Sequence, residues 1–149
     1  MDFRPAQNED CDVLTALCLR SKAVHGYDAE FMAACAAELA VTPEKLALGG
    51  HLVVSVEGHL MGYAQVTEDK GEMWLEALFV DPGKMGKGIG KALFQRVMTL
   101  AQKAGAQSVL IDSDPGAEAF YLSRGAVRIG EAPSGSIAGR VLPRLRYAL

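Results

Sequence analysis

The stretch Leu78-Phe79-Val80-Asp81-Pro82-Gly83-Lys84-Met85-Gly86-Lys87-Gly88-Ile89-Gly90-Lys91-Ala92-Leu93 carries the first chemical signal in this chain. An apolar strand runs into a turn, then a glycine-rich loop, then the first turn of a helix. Gly86, Gly88 and Gly90 alternate, and with no Cβ in the way their backbone N–H groups can come close to a ligand. The loop leads into a helix N-terminus, where unpaired N–H groups and the macrodipole favour an anion. Lys84, Lys87 and Lys91 add positive charge around the same loop. These features together describe a cradle for pyrophosphate.

Two glycine motifs can be tested against it letter by letter. A nucleoside-triphosphate loop needs a first Gly five residues before the Gly-Lys pair, and Ser or Thr after the Lys. Here Met85 stands upstream and Ala92 follows Gly90-Lys91, so the magnesium hydroxyl and the first glycine are both missing. A dinucleotide fingerprint needs a third small residue for close helix–strand packing. Counting from Gly86 puts Lys91 there, and counting from Gly88 puts Leu93 there. Both motifs fail.

The segment Met85-Gly86-Lys87-Gly88-Ile89-Gly90 resembles the acyl-CoA pyrophosphate loop of the GNAT N-acetyltransferase superfamily, with Met85 where that family has Arg or Gln. Leu78-Phe79-Val80-Asp81-Pro82 is similar to the strand and turn that precede that loop. A second block, Asp114-Pro115-Gly116-Ala117-Glu118-Ala119-Phe120-Tyr121-Leu122-Ser123-Arg124-Gly125-Ala126, resembles the family's later motif, with Asp114 in place of the usual Asn. The resemblance implies an α/β fold: a mixed, mostly antiparallel central sheet, helices on both faces, and two central strands that splay apart to admit acyl-CoA. It implies that the main chain of Leu78, Phe79 and Val80, the loop residues Met85, Gly86, Lys87, Gly88, Ile89, Gly90 and Lys91, and later Asp114 and Ala117, hold the cofactor.

Length and composition are compatible with this. At 149 residues the chain fits a single domain, 1–149, with half of its residues apolar and room for a real core. A net charge of −3 gives no global attraction for nucleic acid, which would need a clustered basic face. No apolar run approaches the ~20 residues of a membrane span, and Met1-Asp2-Phe3-Arg4-Pro5 has no apolar leader core. Cys11, Cys18 and Cys35 are odd in number and lack metal-ligand spacing. They read as reduced cysteines of a cytoplasmic protein, and no metal is implied.

The elements that must position the loop follow from pattern. Met1 to Arg4 reads as a strand. Asn8 or Asp10 caps a helix through about Leu19, with Val13, Leu14, Leu17 and Cys18 as its apolar stripe. Arg20 to Tyr27 reads as a connection, and Asp28 as the cap of a second helix through about Leu39. Thr42-Pro43-Glu44 marks a further helical turn. Residues 52–56 and 61–66 flank Glu57-Gly58-His59 as a hairpin. Glu72 to Val80 is a longer strand, Gly88 to Lys103 a helix stopped by Gly105, and Val109-Leu110-Ile111 a buried strand. Ala117 to Ser123 is a helix, and Val127-Arg128-Ile129 and Leu142 to Tyr147 close the sheet.

The resemblance implies acetyl transfer from acetyl-CoA to a primary amine of a small molecule, directly and without a covalent enzyme intermediate. A peptide or protein acceptor, or a non-catalytic acyl-CoA-binding sensor, are the alternatives, and a homodimer is left open. Tyr121 falls where the family commonly has the acid that protonates the leaving thiolate, and a main-chain N–H of Phe79 or Val80 would meet the thioester oxygen. Glu72 and Glu76 share strand parity with Leu78 and Val80 and so would face one side. Glu76, nearer the thioester, resembles the acidic position from which some relatives deprotonate the amine. Around the acceptor the chain offers Arg20, Ser21, Lys22, His25, Tyr27 and Asp28, and later Ser134, Ser136 and Arg140. Arg20 or Arg140 could fix an acceptor carboxylate, with Tyr27 beside them.

Overall fold

A computed structural model describes residues 1–84 and 87–149. Met85 and Gly86, both expected in the anion loop, lie outside the described residues.

The chain opens with β1 (Asp2–Arg4), a 3-10 turn over Asn8–Asp10 and helix α1 (Cys11–Ala23). Arg4 pairs with Asp10 at 2.8 Å, fastening the strand to the helix entry. α1 runs four residues past Leu19, so Arg20 to Ala23 are helical rather than part of a connection. Nothing between Leu19 and Ala23 breaks a helix, and Gly26, at φ +84°, is the first residue that does. The buried face is Cys11, Leu14, Leu17, Cys18 and Ser21, whereas Val13, expected in the stripe, is 54% exposed. Helix α2 (Ala29–Leu39) starts where Asp28 accepts the Phe31 N–H at 2.8 Å. The short α3 (Pro43–Leu46) is capped by the Thr42 hydroxyl, which accepts the Lys45 N–H.

A meander follows: β2 (His51–Val56), β3 (His59–Asp69) and β4 (Glu72–Val80). Its two turns, Glu57-Gly58 and Lys70-Gly71, have positive φ at both central residues. That backbone matches the twist of a tight hairpin. Helix α4 (Ile89–Lys103) then crosses to β5 (Ser108–Asp112), followed by a 3-10 turn over Pro115–Ala117, helix α5 (Glu118–Ser123), β6 (Val127–Pro133) and β7 (Val141–Ala148). No helix among the described residues is long and apolar enough to cross a membrane.

The seven strands form one sheet in the order β1-β2-β3-β4-β5-β7-β6. Every neighbouring pair is antiparallel except β4–β5, which is parallel and joined only at Met73–Val109 and Trp74–Leu110. Beyond those two pairs the strands diverge, so β4 from Leu75 to Val80 pairs with β3 alone. On one face α4 and α5 pack over the core of Ala64, Val66, Leu75, Phe94, Val97 and Ile111. Complete burial of Leu93 and Val97 contributes roughly 1.5–3 kcal/mol each relative to exposure. On the other face α1 covers Val53 and Tyr63, with Ala77 and Phe79 at its margin.

A bulge lies in the middle of β4. Gln65 opposes Ala77 and Val66 opposes Leu75, so Glu76 is the extra residue. Strand parity reverses there. Met73 and Leu75 before the bulge, and Leu78 and Val80 after it, all belong to the α4-side core. The sequence expectation that Glu72 and Glu76 share a side with Leu78 and Val80 is therefore corrected. Glu76 turns the other way and accepts the Thr67 hydroxyl at 2.8 Å.

Candidate active site

The divergence of β4 and β5 opens a cleft of about 880 Å³ that runs from the α4 N-terminus to the ends of α1 and α2. Its walls begin at the β4 edge. Asp81 donates its N–H to Met61 at 2.8 Å, and main-chain direction alternates along an antiparallel ladder. Phe79 therefore turns its N–H toward β3, while Leu78 and Val80 turn theirs to the open edge. Of the two donors the sequence offered for a carbonyl oxygen, the geometry keeps Val80 and removes Phe79.

At one end, Gly88, Gly90 and Lys91 line the cleft. Gly88 adopts a left-handed φ of +80°, which favours a residue with no Cβ. The first turn of α4 has no side-chain cap, so its leading N–H groups keep their capacity for an anion. Lys87 is exposed and lies off the cleft wall, and the Ile89 side chain is buried in the core, leaving only its main chain for a ligand.

Midway, α5 supplies Tyr121, whose ring packs beside Phe94 and Phe120 at 6.1 and 5.3 Å between centroids. The residue is buried, yet its hydroxyl is not sealed off and makes no hydrogen bond to a described residue. It borders the cleft together with Ala117 and Phe120. Burial, and next the Asp114 charge, push the Tyr121 phenol well above its ordinary range. A phenol so placed stays protonated at neutral pH and can give its proton to a developing anion.

Across the sheet, Glu76 borders the cleft with Thr67, Tyr63 and Gln65. Tyr63 and Gln65 form a buried polar pair that the sequence reading passed over. The Tyr63 hydroxyl donates to Gln65 at 2.9 Å, and the Gln65 amide donates to the Lys45 and Gly49 carbonyls. A glutamine inside the otherwise apolar run 61–66 was the available signal. Burial drives the Tyr63 phenol upward as well.

The remaining polar residues gather on Asp114. Its carboxylate accepts the Lys22 ammonium at 2.9 Å, the Tyr27 hydroxyl at 2.8 Å and the Gly116 N–H at 2.8 Å. Arg140 donates to the Tyr27 hydroxyl at 2.6 Å and approaches Asp114 at 3.5 Å. Burial alone would raise the Asp114 carboxyl, but Lys22, the Gly116 N–H and Tyr27 outweigh it and hold the group at about 2. Tyr27 moves in the opposite sense, to about 12, through burial and its bond to Asp114. The Tyr27 and Phe31 rings stack at 3.9 Å, and the Arg140 guanidinium lies over Phe31 at 4.8 Å.

The geometry places three of the expected residues as follows, and Asp114 among them borders the cleft. Asp114, expected to meet the cofactor, spends its carboxylate on the chain's own groups. Tyr27 is not on the cleft wall, because its hydroxyl is enclosed between Asp114 and Arg140. Arg20, placed on α1 by the longer helix, is off the wall too and pairs with Asp81 at 2.9 Å. Arg140 does border the cleft, together with Lys22, which the sequence offered only as one of several polar residues.

The family profile described as "Acetyltransferase (GNAT) domain" matches residues 21–135. Comparison with curated proteins gives no match. Among solved structures, a GCN5-related N-acetyltransferase from Rhodopseudomonas palustris superposes with a TM-score of 0.79 at 25% identity, covering 99% of this chain and 95% of the other. PaiA N-acetyltransferase from Thermoplasma acidophilum, in complex with coenzyme A, gives 0.78 at 16% identity, covering 99% and 98%. YncA of Salmonella typhimurium, a putative acetyltransferase with its cofactor acetyl-CoA, gives 0.71 at 21% identity, covering 99% and 93%.

Proposed function

This chain belongs to the GNAT acetyltransferase family, and from that premise we propose that it moves an acetyl group from acetyl-CoA to a primary amine of a small molecule by direct transfer. One arrangement carries the reading. The α4 N-terminus, the free β4 edge, Tyr121 and Glu76 border a single cleft that passes between two diverging strands.

The residues present suit acetyl-CoA. The uncapped first turn of α4, with Lys91 on it, would hold the pyrophosphate. The open edge of Leu78 and Val80 would take the pantetheine arm as an added strand. Bound there, acetyl-CoA supplies an activated thioester whose C–S bond breaks as the acceptor's C–N bond forms. The Val80 N–H stabilises charge on the carbonyl oxygen. Glu76, directly or through water, takes one proton as the acceptor's ammonium becomes an amine. Tyr121 gives its proton to the departing sulfur and regains one as the nitrogen becomes an amide.

The acceptor side favours a small molecule over a protein segment. Ser136, from the β6–β7 loop, hydrogen-bonds Glu38 of α2, and both border the cleft. That bridge ties α2 to the β6–β7 loop beside the cleft, which supports the smaller acceptor. Calorimetry with acetyl-CoA, followed by free-thiol release across an amine panel, tests the reading. Micromolar binding with amine-dependent thiol release is expected. Binding with no release from any amine would favour the sensor, and no binding at millimolar acetyl-CoA would overturn the cradle itself.

A further inference from the structure

The charges around Asp114 do not balance one to one. Lys22 and Arg140 both border the cleft, and Asp114 is the one carboxylate within ion-pair distance of either among the described residues. Asp114 is already committed. The Lys22 ammonium and the Gly116 N–H take its two oxygens at 2.9 and 2.8 Å, whereas Arg140 reaches it only at 3.5 Å. Arg140 is held instead by the Tyr27 hydroxyl, through Nη2. Its Nε and Nη1 make no hydrogen bond to a described residue, although its side chain is only 17% exposed.

A guanidinium held rigid, mostly out of water and with donors to spare is a seat for an anion. Its rigidity has a visible cause, since the Tyr27–Phe31 stack lies beneath it at 5.1 and 4.8 Å. The same cleft is also bordered by Glu76, which accepts the Thr67 hydroxyl, and by Glu38, which accepts the Ser136 hydroxyl of the loop that carries Arg140. Neither of these is ion-paired to a described cation. The remaining carboxylate on the wall, Asp112, is neutralised by Arg144 at 2.7 Å.

We propose that the acceptor is an amino-acid-like molecule, its carboxylate seated on Arg140 and its ammonium facing Glu76. This rests on the transfer reading above and adds the acceptor's chemical class. Lys22 is then a positioning residue: by satisfying Asp114 it keeps Arg140 free for the substrate.

Steady-state kinetics on matched acceptors test this: the proteinogenic amino acids, together with β- and γ-amino acids, each against its own carboxamide. The expected result is a kcat/KM at least tenfold higher for the best acid than for its amide. Arg140→Gln should shrink that ratio at least tenfold, with Arg140→Lys recovering part of it. Lys22→Met should shrink it too, because Asp114 then captures Arg140, and Lys22→Arg should restore it. Thermal melts and acetyl-CoA binding of each variant separate this from misfolding, since the ratio is read only on variants that retain both. Equal rates for acids and amides in the wild type, or a ratio unmoved in Arg140→Gln, would overturn the anion seat and leave acetyl transfer standing. No thiol release with any amine would overturn the transfer reading and the seat together.

Discussion

The Tyr27 hydroxyl stands 2.8 Å from Asp114 Oδ2 and 2.6 Å from Arg140 Nη2, so one phenol ties the segment after α1 to the end of β5 and to the β6–β7 loop. Residues 87 and 113 positions from Tyr27 in sequence meet on it. Polar contacts and the Tyr27–Phe31 ring stack together hold this cluster.

A pH dependence follows from that knot. The Asp114 carboxyl is held at about 2, below its ordinary 3.8. A carboxyl depressed on folding adds stability above its unfolded pKa and loses it as pH falls through the folded one. The Asp114 contribution, on the order of 2 kcal/mol, should therefore be complete above about pH 4 and fade toward about pH 2. Asp10, lowered by Arg4, acts in the same sense, so the useful quantity is a difference. Urea melts of wild type and Asp114→Asn at pH 5, 4, 3 and 2 should converge as pH falls. A constant gap across that series would remove the assignment.

Tyr121 is the only aromatic hydroxyl described here that borders the cleft without a protein partner. Tyr121→Phe should lower kcat by ~10²–10⁴, the usual worth of a positioned acid, with acetyl-CoA affinity within about twofold of wild type. Because burial raises the phenol, its own ionisation should add no falling limb to the kcat profile between pH 7 and 10. Stopped-flow thiol release and calorimetry on the same preparation check both statements. An unchanged kcat in a variant that turns over would exclude the acid role.

Glu76 occupies the β4 bulge and is held there by Thr67. Glu76→Gln keeps the hydrogen bond and removes the base, so kcat/KM should fall ~10²-fold at neutral pH. The fall should lessen as pH rises and the free amine becomes common in solution. Thr67→Val keeps the carboxylate but frees it to move, and should cost about tenfold or less. A pH-rate series on both variants separates base from tether. An equal loss in Glu76→Gln at every pH would leave only a positioning role.

Much of this was legible in the sequence, and the exceptions share a cause. Hydrophobic periodicity located α4, and the alternation of turn signals located the meander, since both are local. The bulge at Glu76 was not legible: one extra residue in a strand leaves no mark in composition, and parity counted through it gives the wrong face. The reach of α1 to Ala23 was missed because Arg20, Ser21 and Lys22 are polar, while helices tolerate polar residues on an exposed turn. The Asp114 knot joins parts of the chain that sequence spacing cannot relate. Tyr121, by contrast, lies in a motif whose residues are neighbours in sequence, so its place beside the cleft could be expected.

Gly116 offers a test of packing at the same knot. Its N–H donates to Asp114, and a Cβ built on it would come within 2.4 Å of His25 Nδ1 and 2.9 Å of Cγ. Its φ is not in the left-handed region, so alanine is conformationally acceptable and would by itself restrict the unfolded chain in its favour by ~0.4–1 kcal/mol. Overpacking against the imidazole acts the other way at ~1–3 kcal/mol, so Gly116→Ala should destabilise on balance. In a His25→Ala background the obstruction is gone and the backbone effect remains, so there the same substitution should be neutral or stabilising. Urea unfolding of the four proteins gives the coupling, which should exceed ~0.5 kcal/mol. Additive effects would mean that His25 rotates away at no cost and does not pack on this turn in solution.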